Sequence, residues 1–219
     1  MDFQPIQMDT WARREHFAHY FSQVPCGYSM TVKLDITPIV EAGKKLYPTM
    51  LYLIARAVNR YPEFRMGFDG DGTLGVYGTV HPCYTVFHKN SETFSNIWTE
   101  YTEDYEAFCR AWREDMERYG DNHAMMAKPG VPDNTFPVSM VPWESFDGFH
   151  LSLKNGYSYL PPIFTMGRYQ REGGRCMLPL SIQVNHAVCD GFHVCRLIAA
   201  LKEMLAGGEK IPLAKDAPV

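Results

Sequence analysis

The strand-like segments of this chain follow one another in groups and do not alternate regularly with helices. Residues 28–36 show the alternation of a half-buried strand, with Met30, Val32 and Leu34 on one face. Further segments with strand character occur at 64–68, 74–77, 84–88, 94–100, 138–143, 149–153, 163–169 and 177–185. The turn at 69–72, Asp-Gly-Asp-Gly, joins the first two of these as a hairpin. A doubly wound parallel sheet needs a βαβ order, so it is not expected.

Helical periodicity is confined to a few places. The predicted helices cover 11–21, a segment starting at Thr37-Pro38, 50–58, 104–119 and 192–205. The sequence therefore predicts an α/β chain of the α+β kind: a two-layer sandwich with a large mixed, mostly antiparallel sheet packed with helices. With 219 residues, of which 46% are hydrophobic, one domain over 1–219 is the simplest organisation.

Composition excludes several functional classes. The formal net charge is −4, which argues against a general nucleic-acid-binding surface. The first residues lack the pattern of a signal peptide and no apolar run is long enough to cross a bilayer, so we expect no membrane partner and a cytoplasmic protein. The six cysteines show no CxxC spacing, which favours reduced thiols.

The candidate catalytic residues directly follow the strand-like segment 177–185. His186 follows it directly, and Asp190-Gly191 open the next helix. Histidine suits proton transfer near neutral pH, so His186 is a candidate general base. Structural alternatives remain open: His186 as a strand-end hydrogen-bonding residue and Asp190 as a helix N-cap. Two alternatives are less favoured. One is a metal site formed by His186, Cys189, His193 and Asp190, and the other is a nucleophilic role for Cys189.

Residues 183–193, with the sequence QVNHAVCDGFH, closely resemble the active-site signature of the chloramphenicol acetyltransferase family. Four other segments extend the resemblance over nearly the whole chain: 11–17, 24–29, 84–88 and 164–170. The shorter His-x-x-x-Asp-Gly pattern is shared with dihydrolipoamide acyltransferases and other acyl-CoA enzymes. The resemblance implies the fold of the CoA-dependent acyltransferases.

The resemblance also implies a reaction: transfer of acetyl from acetyl-CoA to the primary hydroxyl of chloramphenicol without an acyl-enzyme, which gives antibiotic resistance. His186 would be the general base, and Ser139 would stabilise the tetrahedral oxyanion. Asp190 would pair with Arg13 to hold the site together. No metal is implied. The family forms homotrimers whose active sites lie between subunits, so His186 and Ser139 need not meet within one chain.

Binding residues follow from the same matching segments. The acceptor pocket would be lined by Tyr20, Cys26, Phe94, Phe149, Leu151 and Thr165. The acetyl-CoA site would use Lys45, Tyr47, Trp143, Arg168 and Tyr169. The chain departs from the family pattern at Asn185, Val24, Pro137, Cys83 and Asn96, which affects the pocket's shape more than the reaction class. The alternatives are a same-fold acyltransferase for another alcohol or a lipoamide thiol, and a non-catalytic binder of an apolar molecule.

Overall fold

The computed structural model describes residues 2–153 and 158–207. Its strands are β1 (Phe3–Pro5), β2 (Gly27–Asp35), β3 (Met66–Phe68), β4 (Leu74–Tyr77), β5 (His81–His88), β6 (Thr93–Trp98), β7 (Thr135–Met140), β8 (Ile163–Met166), β9 (Gln170–Glu172) and β10 (Arg175–Asn185). Its α-helices are α1 (Arg14–Ala18), α2 (Thr37–Glu41), α3 (Leu46–Asn59), α4 (Tyr105–Tyr119) and α5 (Gly191–Leu205). A π-helical turn, His19–Gln23, continues α1, and a 3-10 turn, Pro62–Phe64, precedes β3.

The large sheet has the strand order β2-β10-β8-β7-β5-β6, with β9 pairing to β10. β10 is antiparallel to β2, β8 and β9, and β5 is antiparallel to β6, while β7 is parallel to both β5 and β8. A smaller sheet has the order β1-β4-β3. The prediction of a mixed, mostly antiparallel sheet packed with helices is confirmed.

Strand β10 is the centre of the fold because both of its faces are covered. Leu180, Ile182 and Val184 belong to the same buried cluster as the apolar residues of α3 and α5. On the other face, Ser181 Oγ donates to the carbonyl oxygen of Phe149 over 2.7 Å. The antiparallel register with β2 runs to the last residue of β10, so the turn that follows is held at a fixed place.

Two expectations about secondary structure are wrong. Residues 149–153 lie outside helices and strands, although their apolar alternation predicts a strand. The side chain of Gln183 takes the place of a strand partner: it accepts from the amide of Leu151 and donates to the Leu151 carbonyl, each over 2.9 Å.

The sequence predicts a uniform helix over 11–21. In the structure the first helix begins at Arg14 and widens into the π-helical turn. Strands β1 and β9 have no counterpart in the prediction, because each has only three residues, which are too few to show a period.

None of the helices in the described ranges is long and apolar enough to cross a membrane.

Candidate active site

The turn after β10 places His186 at the end of the sheet. The backbone amide of His186 donates to the carbonyl oxygen of Cys26 over 3.0 Å, which joins the turn to the start of β2. Asn185 is 3% exposed, and its Oδ1 accepts from the amide of Ala187 over 2.9 Å. The carbonyl of Asn185 also accepts from the amide of Cys189. Asn185 departs from the family pattern, yet it stabilises the turn from within.

The His186 ring is oriented by a carbonyl group and by two tyrosines. Its Nδ1 lies 3.2 Å from the carbonyl oxygen of Cys189. A carbonyl oxygen only accepts, so this contact places the proton on Nδ1 and leaves the lone pair on Nε2. Tyr20 stacks on the ring with centroids 3.9 Å apart, and the Tyr28 ring meets it at 78°. The His186 side chain is 28% exposed, so Nε2 can be reached by a substrate.

Arg13 and Asp190 are paired, as the resemblance implies. The two Nη atoms of Arg13 donate to the two carboxylate oxygens of Asp190, each over 2.6 Å. Nε and Nη2 of Arg13 also donate to the carbonyl oxygens of Ala187 and His186, each over 2.8 Å. The hydrogen bonds from Arg13 lower the pKa of Asp190, so this carboxylate is ionised at neutral pH. Arg13 therefore binds the turn at His186, at Ala187 and at Asp190.

Ser139 lies in a polar row that crosses the sheet. Thr165 on β8 is aligned with Ser139 on β7 and with Ser181 on β10, and Ser181 is aligned with Thr31 on β2. The hydroxyl groups of Ser139 and Thr165 lie 3.2 Å apart. Thr165 is 2% exposed, so it is a fixed hydrogen-bond partner for the partly exposed Ser139.

Within one chain, Ser139 is far from His186. The polar row meets β10 at Ser181, five residues before His186. At roughly 3.3 Å per residue along a strand and about 4.8 Å between strands, the two side chains are separated by about 16 Å along the sheet and about 10 Å across it. The structure therefore brings together His186, Asp190 and Arg13 on one side, and Ser139 and Thr165 on the other.

The predicted acceptor-pocket residues divide between these two places. Tyr20 stacks on His186, and Cys26 and Leu151 line a cavity of about 250 Å³ beside the start of β2. Phe149 lies near this cavity, since its carbonyl is bonded to Ser181 of β10. Thr165 contacts Ser139 instead.

Phe94 lies on the Ser139 side, on β6, two strands away from β7. It is 47% exposed and is aligned with Phe87 of β5, which is 45% exposed. The Phe87 ring meets the ring of Trp143, 57% exposed, edge-on at 4.7 Å. These three rings form an exposed aromatic patch next to the strand that carries Ser139.

Two of the five residues predicted for acetyl-CoA line a cleft of about 680 Å³. Arg168 and Tyr169 line it, together with Leu46 and Met140. Lys45 and Tyr47 flank Leu46 in the sequence, and Trp143 is next to the lining residues Pro142 and Glu144. The hydroxyl of Tyr47 donates to the carbonyl of Thr85, which fixes its ring. Met140 directly follows Ser139 at the end of β7, so the cleft lies at the end of the strand that carries the serine.

The alternative uses of Cys189 are not supported. Cys189 is 1% exposed, and its thiol donates to the carbonyl oxygen of Glu63. Burial raises the pKa of this thiol, which keeps it protonated and a poor nucleophile. Over residues 2–153 and 158–207, no three His, Cys, Asp or Glu side chains are grouped so that they could hold a metal ion.

The sequence does not predict the roles of three residues at this site. Tyr28 contacts the His186 ring, His193 accepts a hydrogen bond from the amide of Asp190, and Ser181 connects the polar row to the segment around Phe149. The alternation of residues along β2 and β10 indicates on which face of the sheet Tyr28 and Ser181 lie. Their partners are distant in sequence, so no local pattern reveals them.

Two solved acetyltransferase structures superimpose on this chain. A chloramphenicol acetyltransferase superimposes with a TM-score of 0.80 at 21% identity, over 93% of this chain and 100% of the other. The dihydrolipoamide acetyltransferase of Azotobacter vinelandii superimposes with a TM-score of 0.64 at 17% identity, over 88% and 86%. The chain therefore has the fold of these two acetyltransferases.

Sequence comparison gives the particular family. The model of the family described as chloramphenicol acetyltransferase matches residues 1–202. Relatives of that name from Vibrio anguillarum and Campylobacter coli are each 56% identical over 205 residues, covering 94% of this chain and 95% and 99% of theirs. The chain belongs to the chloramphenicol acetyltransferase family.

Proposed function

We propose that this protein transfers an acetyl group from acetyl-CoA to the primary hydroxyl of chloramphenicol, in the cytoplasm, and so confers resistance to the antibiotic. Relatives named for this activity are 56% identical over most of their length. The observation that carries the mechanism is the contact between Nδ1 of His186 and the carbonyl of Cys189, which leaves Nε2 as a base.

His186 acts as the general base. The pKa of an alcohol is far above neutral, so free alkoxide is negligible and the proton must leave as the oxygen attacks. Nε2 of neutral His186 removes this proton while the oxygen bonds to the thioester carbon, which is worth a factor of ~100 to 10,000. The imidazolium then returns the proton to the departing thiolate of CoA as the tetrahedral intermediate collapses.

Ser139 stabilises the charge that develops during the attack. The thioester oxygen becomes an oxyanion, and the Ser139 hydroxyl donates to it. Thr165, 3.2 Å from that hydroxyl, restricts its orientation. Such a donor is worth roughly 3 kcal/mol in the transition state.

We propose that the protein forms a homotrimer in which His186 of one subunit faces Ser139 of the next. The separation of the two residues within one chain supports this arrangement, because a base and an oxyanion donor must lie within a few ångströms of the same reacting group. The exposed rings of Phe87, Phe94 and Trp143 lie on the Ser139 side, where an apolar acceptor and a second subunit could cover them.

Acetyl-CoA would occupy the cleft next to Ser139. Lys45 and Arg168 supply cations for its phosphate groups, and the rings of Tyr169 and Trp143 supply surfaces for its adenine. Chloramphenicol would contact Tyr20, Cys26, Phe149 and Leu151 on the His186 side, and Phe94 and Thr165 on the Ser139 side. The two substrates would then meet between the subunits.

Release of free thiol from acetyl-CoA, with chloramphenicol as the acceptor, tests the proposal. We expect turnover by the wild type and a loss of at least about 100-fold in the His186→Ala variant. The matched control is His16→Ala, which changes an exposed histidine of α1. Normal turnover by His186→Ala would overturn the mechanism. Turnover with another alcohol or with dihydrolipoamide, and none with chloramphenicol, would overturn the proposed substrate.

A further inference from the structure

A second group of polar side chains lies behind the His186 turn. Nδ1 of His193 accepts from the backbone amide of Asp190 over 3.0 Å. Nε2 of His193 is 3.6 Å from Oε1 of Glu63, and Arg196 donates to the other Glu63 oxygen over 2.8 Å. The side chains of His193 and Glu63 are only 16% and 18% exposed. The arrangement is therefore largely shielded from water.

These contacts fix the tautomer of His193. An amide N–H only donates, so Nδ1 of His193 carries the lone pair and its proton is on Nε2, which faces the Glu63 carboxylate. The guanidinium group of Arg196 in turn lies over the ring of Tyr61, 4.2 Å from its centroid, which holds Glu63 in place from the other side.

The amide that His193 binds belongs to the same peptide group as the carbonyl that orients His186. In the peptide between Cys189 and Asp190, the N–H donates to Nδ1 of His193 and the C=O accepts from Nδ1 of His186. A hydrogen bond at one end of a peptide group polarises it and makes the other end a better partner. Rotation of the peptide plane would break both bonds together.

We propose that His193 is a positioning residue: it fixes the Cys189–Asp190 peptide plane and thereby the ring orientation and tautomer of His186. This inference rests on the proposed function of His186 as the base. A glutamine three residues after the N-cap commonly accepts from the N-cap amide, so glutamine can replace this one property of His193 without being able to gain a proton.

Protonation of His193 would remove the acceptor. The charged and titratable groups that face it are Glu63 from the turn before β3, Arg13 from the segment before α1, Asp190 at the N-cap of α5 and Arg196 within α5. Burial lowers the pKa of His193, and the two arginines lower it further, against the opposing effect of the two carboxylates. His193 therefore stays neutral at neutral pH and takes up a proton at a pH below the usual histidine range.

The test compares His193→Leu, which removes the acceptor, with His193→Gln, which keeps one. With acetyl-CoA and chloramphenicol at neutral pH, we expect kcat to fall by between about 10-fold and 100-fold in His193→Leu with KM nearly unchanged, and by less than about threefold in His193→Gln. The acid limb of the kcat profile should be less steep in His193→Gln than in the wild type, because one of two protonations is lost. A structural role alone would not change this slope.

Wild-type kcat in His193→Leu would overturn the inference, as would His193→Gln being as impaired as His193→Leu. Nitrogen NMR of the full chain with labelled histidine gives an independent reading, including the case where His193→Leu does not fold. It should show the proton on Nε2 of His193 and on Nδ1 of His186, and the opposite tautomer of His193 would overturn the inference. An inactive wild type would instead contradict the proposed function, and the NMR measurement would still test the tautomers.

Discussion

Arg13 binds both carboxylate oxygens of Asp190 at 2.6 Å while its remaining donors bind the carbonyl oxygens of Ala187 and His186. One side chain from the segment before α1 thus binds both the N-cap residue of α5 and the turn that carries the proposed base. The Arg13 side chain is 13% exposed and that of Asp190 is 37% exposed. The loss of either partner would leave the other with an unpaired charge.

Replacing Arg13 by alanine should lower the free energy of unfolding by about 2 to 3 kcal/mol. Breaking a fully buried pair costs about 3 to 5 kcal/mol, and the partial exposure of Asp190 reduces this cost. Chemical denaturation at one fixed protein concentration measures it. The neighbouring, exposed Arg14→Ala is the matched control, with an expected change within about 0.5 kcal/mol. Equal effects of the two substitutions would contradict the role of the pair.

The Asp190 carboxylate should make stability depend on acid pH. Its pKa is lowered in the folded state by Arg13, so its contribution is complete above the ordinary aspartate pKa of about 3.9 and is lost as the pH falls from there through the lowered value. The difference in unfolding free energy between wild type and Asp190→Asn should be constant near neutral pH and narrow below about pH 4. Denaturation series across this range measure it, and a constant difference throughout would disprove the linkage.

Replacing Ser139 by alanine should lower kcat by about 100-fold to 1,000-fold with little change in KM for either substrate. The reason is that an oxyanion donor acts in the transition state and not on the bound ground state. Steady-state kinetics with both substrates measure the split. Thr31→Val, on the same polar row but beyond Ser181, is the control and should leave kcat near the wild-type value. A loss found mainly in KM would assign Ser139 to substrate binding.

The ring of Tyr20, and not its hydroxyl, should matter for the orientation of His186. The two rings are stacked at 3.9 Å, a contact worth about 0.5 to 1.5 kcal/mol. Tyr20→Phe should therefore keep kcat/KM close to wild type, and Tyr20→Leu should lower it by up to about tenfold. A variant pair that behaves in the opposite order would show that the hydroxyl contacts the substrate.

The sequence predicts most elements of the large sheet because their periods are regular. The buried helix α3 and the long strand β10 were both expected, and their interiors are almost fully buried. The segment 149–153 shows the limit: its alternation is real, but the side chains of Gln183 and Ser181 bind its backbone where a strand would. The local sequence does not indicate that a distant side chain replaces a strand partner.

At the site, the resemblance to the family identifies the residues that take part. Which of them contact each other is known only from the structure. The pairing of Arg13 with Asp190, 177 residues apart in sequence, cannot be read from periodicity. The shared peptide group between His186 and His193 is equally hidden, because it depends on which way one peptide plane points. Spacing along a motif identifies the side chains of a turn but not the direction of its carbonyl groups.

The measurement that tests the central claim most directly is complementation between His186→Ala and Ser139→Ala subunits. The two variants, each with no more than about 1% of wild-type activity alone, are co-produced in equal amounts with different affinity tags, and acetyl transfer to chloramphenicol is assayed in the mixed assemblies. If each site combines His186 of one subunit with Ser139 of its neighbour, every trimer that contains both variants has one intact site out of three, so about a third of wild-type activity should return. Mixed assemblies as inactive as the two parent variants would show that His186 and Ser139 do not act together across a subunit boundary.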